Sequence, residues 1–219
     1  MTGVYCAMIA MTASQMHFAS VPLRSPQHRL ECELSNVAVR PDAGPPLASP
    51  SEGDGTSMFR GMRRKRQELP ETETIAMLRS CTSGVLAVQG DDDYPYAVPL
   101  SFAYEDGKLF FHSAKAGHKI DAIERSEKAS FCVIAADDVV QSTFTTHFRS
   151  AVVFGRARVL AEDGEKRHAL ECLAKKYSPD YLEAAAAEID GDWKRVCAIE
   201  LEIEHMTGKA SIEIIKERA

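Results

Sequence analysis

No apolar run in this chain approaches the roughly 18–20 consecutive residues that cross a bilayer as a helix, so a membrane-spanning helix is not expected. Cys-x-x-Cys pairs are missing as well. The six cysteines stand far apart, at Cys6, Cys32, Cys81, Cys132, Cys172 and Cys197. Such scatter predicts reduced core thiols rather than zinc ligands or a disulfide frame. The histidines, at 17, 28, 112, 118, 147, 168 and 205, match no metal-ligand spacing, and no metal site is predicted. Neither Lys nor Arg precedes the weakly apolar stretch Val4–Met11, so an export signal is not expected and the cytoplasm is the expected compartment. There is no Gly-x-Ser-x-Gly elbow to support a serine hydrolase, and no internal repeat. Thr207-Gly208-Lys209-Ala210-Ser211 looks like the end of a P-loop. That motif needs Gly where Ile203 stands and Ser or Thr where Ala210 stands, and the reading fails.

What is present is an ordinary globular balance, 45% hydrophobic and 26% charged, in a chain of 219 residues that is long enough to bury a core. Net charge is −6, which opposes a general attraction to nucleic acid or anionic membrane. The short basic run Arg63-Arg64-Lys65-Arg66 reads as solvated. Residues 1–57 differ in kind from the rest. They hold six of the ten prolines, and from Pro41 to Ser57 ten of 17 residues are Pro, Gly or Ser. Such a segment offers too little apolar surface to offset its ordering entropy, which predicts a flexible arm ahead of a domain over 58–219. A second reading stays open, in which translation begins at Met58 or Met62.

Beyond the arm the punctuation is regular. Pro70 followed by Glu71, Thr72 and Glu73 starts a helix that should end near Ser80. Strands are expected at 83–89, 95–104, 108–113, 129–135, 150–160 and 196–204, with turns at Gly90–Asp93 and Glu105–Gly107. The last two alternate most cleanly: Ala151, Val153, Gly155, Ala157 and Val159 share one face, as do Cys197, Ile199, Leu201 and Ile203. Helices are expected at 118–125, through Leu170, Leu173, Ala174 and Tyr177 up to Pro179, and at 181–189. Antiparallel strands with helices only in the connections predict a mainly β fold, a closed or nearly closed barrel with peripheral helices.

The stretch Leu109–Lys119 carries the chemistry. A strand ends at His112 and Ser113, a turn contains Gly117, and a helix begins near His118. The free amides of a helix N-terminus attract anions, and Gly lets a ligand approach the backbone. Ser113, Lys115, His118 and Lys119 add a hydroxyl and positive charge, so a phosphate would suit this turn. The plainer alternative is a serine-capped helix with exposed cations. His112 lies on the same strand face as Phe110. It is either a structural histidine or one that touches a ligand at the neighbouring turn.

Taken in order, Met62-Arg63-Arg64-Lys65, then Tyr94-Pro95-Tyr96-Ala97-Val98-Pro99-Leu100-Ser101-Phe102, Phe111-His112-Ser113-Ala114, Gly117-His118-Lys119 and Arg149-Ser150-Ala151-Val152-Val153-Phe154-Gly155 resemble the pyridoxamine 5′-phosphate oxidase-like flavin-binding split barrels, and within them the nitroimidazole-resistance proteins. The resemblance runs from Met62 to Lys209. It implies a homodimer with an FMN site at each subunit interface. Val98, Pro99, Leu100, Ser101 and Phe102 would run beside the flavin ring, and His112 and Ser113 would lie next to it. His118 and Lys119 would hold its phosphate. Arg149 and Ser150 would reach the cofactor, from the partner subunit, and His112 would serve the reactive centre. Ser101 stands where the oxidase proper has lysine, and His118 where it has arginine, which argues against pyridoxamine phosphate as substrate. The implied activity is reduction of a small acceptor, a nitroaromatic among the candidates, with electrons from a nicotinamide donor. The alternatives are a barrel that binds flavin, deazaflavin or haem without turnover, with His112 or His205 as first haem ligands to test, and an interaction protein that recruits partners through its arm.

Overall fold

A computed structural model describes residues Phe59–Glu217, so the arm expected over 1–57 lies outside the described residues. Eight strands and five α-helices are present among them: β1 Glu68–Leu69, α1 Glu71–Ser80, β2 Ser83–Gln89, β3 Pro95–Ser101, β4 Ala103–Glu105, β5 Lys108–Ala114, α2 His118–Arg125, β6 Lys128–Val140, β7 Thr145–Val159, α3 Asp163–Tyr177, α4 Leu182–Asp192, β8 Val196–Ala210 and α5 Ile212–Lys216. All strand pairs are antiparallel, in the order β3-β2-β6-β7-β8-β5-β4, with the short β1 added to β8. The mainly β architecture with peripheral helices is the one expected.

The order explains how the sheet closes. Its two end strands, β3 and β4, are consecutive in the chain and separated by Phe102 alone. The run expected as one strand over 95–104 is therefore two, broken where the sheet's ends meet. Phe102 is fully buried at this seam, its ring edge-on to Phe131 at 4.7 Å. Leu86, Leu109, Phe111, Val133, Val153, Ile199 and Leu201 fill the interior around it, and Met77 and Leu78 of α1 join them. Burying such side chains contributes about 1.5–3 kcal/mol each, which makes this cluster the main source of stability.

A second apolar layer lies outside the barrel. Ala169, Leu170, Cys172 and Leu173 of α3 cover Ala103, Phe110 and Ala198. Strand β5 is thus covered on both faces, which is why Leu109, Phe110 and Phe111 are apolar in succession instead of alternating.

Strands β6, β7 and β8 run well past the expected limits. Asp137 and Asp138 look like loop residues but pair with Phe148 and His147 in a hairpin that turns at Gln141–Phe144. Gly208, once freed from the P-loop reading, has a packing role in β8: a Cβ there would lie 2.2 Å from Thr74 Oγ1 of α1. Among the described residues strand β3 pairs only with β2, and it carries Pro95 and Pro99 on its exposed face. No helix among the described residues is long and apolar enough to cross a membrane.

Candidate functional site

The turn between β5 and α2 has the geometry of an anion cradle. Gly117 takes φ +129°, a conformation that L side chains rarely adopt, and nothing lies within 4 Å of where its Cβ would be. No side chain caps the helix that follows, so its first amides stay open to a ligand. Ser113 is the last residue but one of β5 and is buried, and Lys119 reaches back from the first turn so that its Nζ donates to Ser113 Oγ at 2.9 Å. These two groups, separate in the sequence, point at one place.

More positive charge surrounds them than the turn itself supplies. Cys197 lies across from Ser113 in the β5–β8 ladder, and Lys119, Lys166 and Lys115 all act on its thiol. Burial outweighs them and holds that thiol above its ordinary range. Lys166 comes from α3 and is nearly buried. Its Nζ donates to the Trp193 carbonyl at 2.6 Å and lies 4.0 Å from the indole centroid. Burial, then repulsion from Lys115, lowers its pKa. Reasoning from local sequence missed Lys166, because a helix 47 residues beyond Lys119 brings it in and only its fold position reveals it.

His118 is placed differently from Lys119. Its ring stacks on Tyr96 of β3 at 4.1 Å, and its Nε2 lies 3.6 Å from Asp91 Oδ2, too far for a hydrogen bond. That nitrogen is buried with no hydrogen-bond partner among the described residues, although the ring as a whole is partly exposed. Asp91 itself is held below the usual carboxylate range, first by the Arg125 guanidinium that donates to it at 2.7 Å. The stack on Tyr96 sets the cradle against the start of β3. From there the strand's outward face runs through Ala97, Pro99 and Ser101, all exposed and small, while Val98 and Leu100 pack against the barrel core. His112 is half-buried, in register with Ala198, on the face that Phe110 shares with α3.

Arg149 and Ser150 stand on β7, away from this turn along the ladder. Ser113 pairs with Cys197 and Ser150 with Lys209, twelve residues further along β8 and up to about 40 Å away at ~3.3 Å per residue. Arg149 forms an ion pair with Glu73 at 3.3 Å, yet its Nε is buried without a hydrogen-bond partner among the described residues. Ser150 pairs with Ile134, which is 67% exposed, and Val85 and Phe154 are also exposed hydrophobics on the neighbouring strands. Ser101 and Ser83 continue this row toward β3.

The family model described as pyridoxamine 5′-phosphate oxidase matches residues 70–210. An uncharacterized protein of Rhizobium meliloti is 31% identical over 127 residues, which cover 55% of this chain and 79% of that one. Among solved structures, a candidate 5-nitroimidazole antibiotic resistance protein of Bacteroides thetaiotaomicron superposes with a TM-score of 0.54 at 22% identity, over 65% of this chain and 86% of its own. The FAD and haem binding protein of Mycobacterium smegmatis gives 0.56 at 21% identity, over 67% and 73%. These likenesses establish the fold.

Proposed function

The chain belongs to the pyridoxamine 5′-phosphate oxidase family, and on that basis we propose that it is an FMN-dependent oxidoreductase passing electrons from a nicotinamide donor to a small acceptor, a nitroaromatic among the candidates. The observation that carries the reading is the convergence of Ser113 Oγ and Lys119 Nζ at an uncapped helix start, docked on β3 through the His118–Tyr96 stack. The residues present fit a flavin mononucleotide. A phosphate would take the Lys119 and Ser113 groups that now bond each other, in the field of Lys115 and Lys166, with Gly117 leaving room. Bound flavin would supply the two-electron chemistry that side chains lack.

The protein's own part is to hold and exclude. Ala97, Pro99 and Ser101 offer a flat outer surface with no bulky side chain, against which a ring system can lie. The orphaned Nε2 of His118 offers a further polar contact from the side of β3. His112, next to Ser113 in the chain but on the α3-facing side of β5, would orient the acceptor and give or take a proton at a ring nitrogen. Arg149 and Ser150, which stand on β7 and not at the cradle turn, would serve the flavin of a partner subunit. The apolar row through Val85, Ile134 and Phe154 supports a homodimer in which that face is covered. The described cysteines are free thiols, which suits work in the reducing cytoplasm.

A second reading, a barrel that binds FAD or haem without turnover, draws on the likeness to the mycobacterial FAD and haem binding protein. The absorption spectrum of the purified protein, with released cofactor identified by mass, separates the two. Twin flavin bands and released FMN support the oxidoreductase, and a Soret band supports the second reading. A colourless protein that fails to take up added FMN overturns the first.

A further inference from the structure

A second cluster of reactive groups lies away from the cradle. At the β4–β5 turn Glu105 faces His168 and Cys172, which are four residues apart and hence on one side of α3. Glu105 Oε2 is 2.5 Å from His168 Nε2 and accepts from Cys172 Sγ at 3.3 Å, and Sγ is 3.5 Å from the same His168 nitrogen. One oxygen, one nitrogen and one sulfur thus form a closed triangle. The cluster is at the end of β5 opposite Ser113, about 17 Å of strand away at ~3.3 Å per residue, so it is not part of the flavin cradle.

From this geometry we propose that Glu105, His168 and Cys172 form a three-ligand site for a divalent transition metal, zinc being the best match. Zinc takes carboxylate, imidazole and thiolate at about 2.0–2.3 Å, and tetrahedral angles then separate the ligand atoms by roughly 3.3–3.6 Å. The two sulfur distances already meet that requirement. Only the Glu105–His168 contact must open, by under about 1 Å, as their hydrogen bond gives way to metal bonds. Both of these side chains have room to do so, His168 being 51% and Glu105 39% exposed.

The surroundings favour an inserted ion over a simple polar tie. Cys172 is nearly buried and fixed by the apolar layer of α3, and the His168 ring is set edge-on to Phe110 at 5.7 Å. The rigid sulfur and oriented imidazole are held by packing, and the mobile carboxylate completes the set. Three protein ligands leave a fourth position toward solvent for water or a small ligand. On binding, a Cys172–metal bond forms and the thiol proton passes to solvent, with no change of oxidation state. The soft sulfur and borderline nitrogen select against calcium and magnesium. A bound ion would join the β4–β5 turn to α3.

Titration of the full-length, chelator-treated protein with Co2+ tests the site, followed by competition with Zn2+. The expected result is one high-affinity cobalt per chain, a thiolate-to-cobalt charge-transfer band, and loss of that band when zinc is added. Cys172→Ala should abolish the band, and His168→Gln should weaken binding at least ~100-fold, beyond the 10–100-fold of a supporting residue. Cys6, Cys32, His17 and His28 remain in every variant and act as internal controls. A band that persists in Cys172→Ala, or an absence of stoichiometric binding in the parent protein, overturns the proposal. Should Cys172→Ala fail to fold, the half-exposed His168→Gln decides alone: unchanged affinity overturns the site, and the expected loss supports it. FMN uptake should be equal in parent and variants, which keeps this test independent of the flavin reading.

Discussion

The hydroxyl of Tyr177 satisfies both backbone groups of Phe102. It accepts from the Phe102 amide at 2.9 Å, and its own proton faces the carbonyl oxygens of Phe102, also at 2.9 Å, and of Thr82. Phe102 sits between the two ends of the sheet, where no strand can pair with it. A side chain from the last turn of α3 therefore replaces the missing ladder, and it does so directly behind the strand proposed to carry the flavin. Lys176, its neighbour, donates to the Leu78 and Cys81 carbonyls at the end of α1 and lies 3.9 Å from the Phe102 ring centroid.

Tyr177→Phe should lower stability by about 2 kcal/mol, because it removes one hydroxyl and leaves buried backbone groups unsatisfied. The midpoint of urea unfolding measures this. A change under about 0.5 kcal/mol would mean that water or relaxation replaces the hydroxyl.

Lys119→Ala should weaken FMN binding about 10–100-fold with the fold intact, the loss expected for one charge-assisted contact of about 1.5–3 kcal/mol. Fluorescence titration with FMN reads it directly. Unchanged affinity would place the phosphate elsewhere.

His112→Ala should leave FMN occupancy near normal and reduce turnover about 100-fold, the usual scale of general acid–base assistance. Steady-state assays with a nicotinamide donor and a nitroaromatic acceptor provide the measurement. Normal turnover would remove His112 from the reactive centre.

Stability should respond to pH through Lys176. Burial lowers its pKa to about 8 from the ordinary 10.5. Between those values the unfolded chain holds a proton that the folded chain has released, so this residue makes stability rise with pH. Its contribution is present above the ordinary lysine value and is lost as pH falls through about 8. The thiols of Cys132, Cys172 and Cys197 act in the opposite sense above about pH 9, since burial raises each of them, Cys172 to about 12 with help from Glu105. Unfolding midpoints of the parent protein minus those of Lys176→Met should therefore climb from pH 8 to pH 10. A flat difference would show that Lys176 titrates normally.

Much of the fold was legible because burial imposes period-two patterns. The spans 83–89 and 118–125 match β2 and α2, and the helix from Glu71 ends at Ser80 as expected. Legibility failed where pairing, not burial, holds a strand. Asp137 and Asp138 are strand residues only because Phe148 and His147 lie opposite them. The break at Phe102 is equally invisible locally, since it follows from sheet ends that meet in space. At the cradle, Ser113, Gly117 and Lys119 were readable within seven residues. Lys166 was not, and neither was the Glu105–His168–Cys172 triangle, whose carboxylate is 63 residues from its histidine.

The single pairing of β3 has a consequence for solubility. An outermost strand invites a neighbouring molecule to extend the sheet, and exposed edges of this kind seed aggregation. Pro95 and Pro99 each lack an amide hydrogen and so deny such a neighbour two of the donors it would need. The edge is guarded at both prolines, and any group that lies along it would shield what they leave open. The ligand-free protein should accordingly be the form most prone to clump on storage.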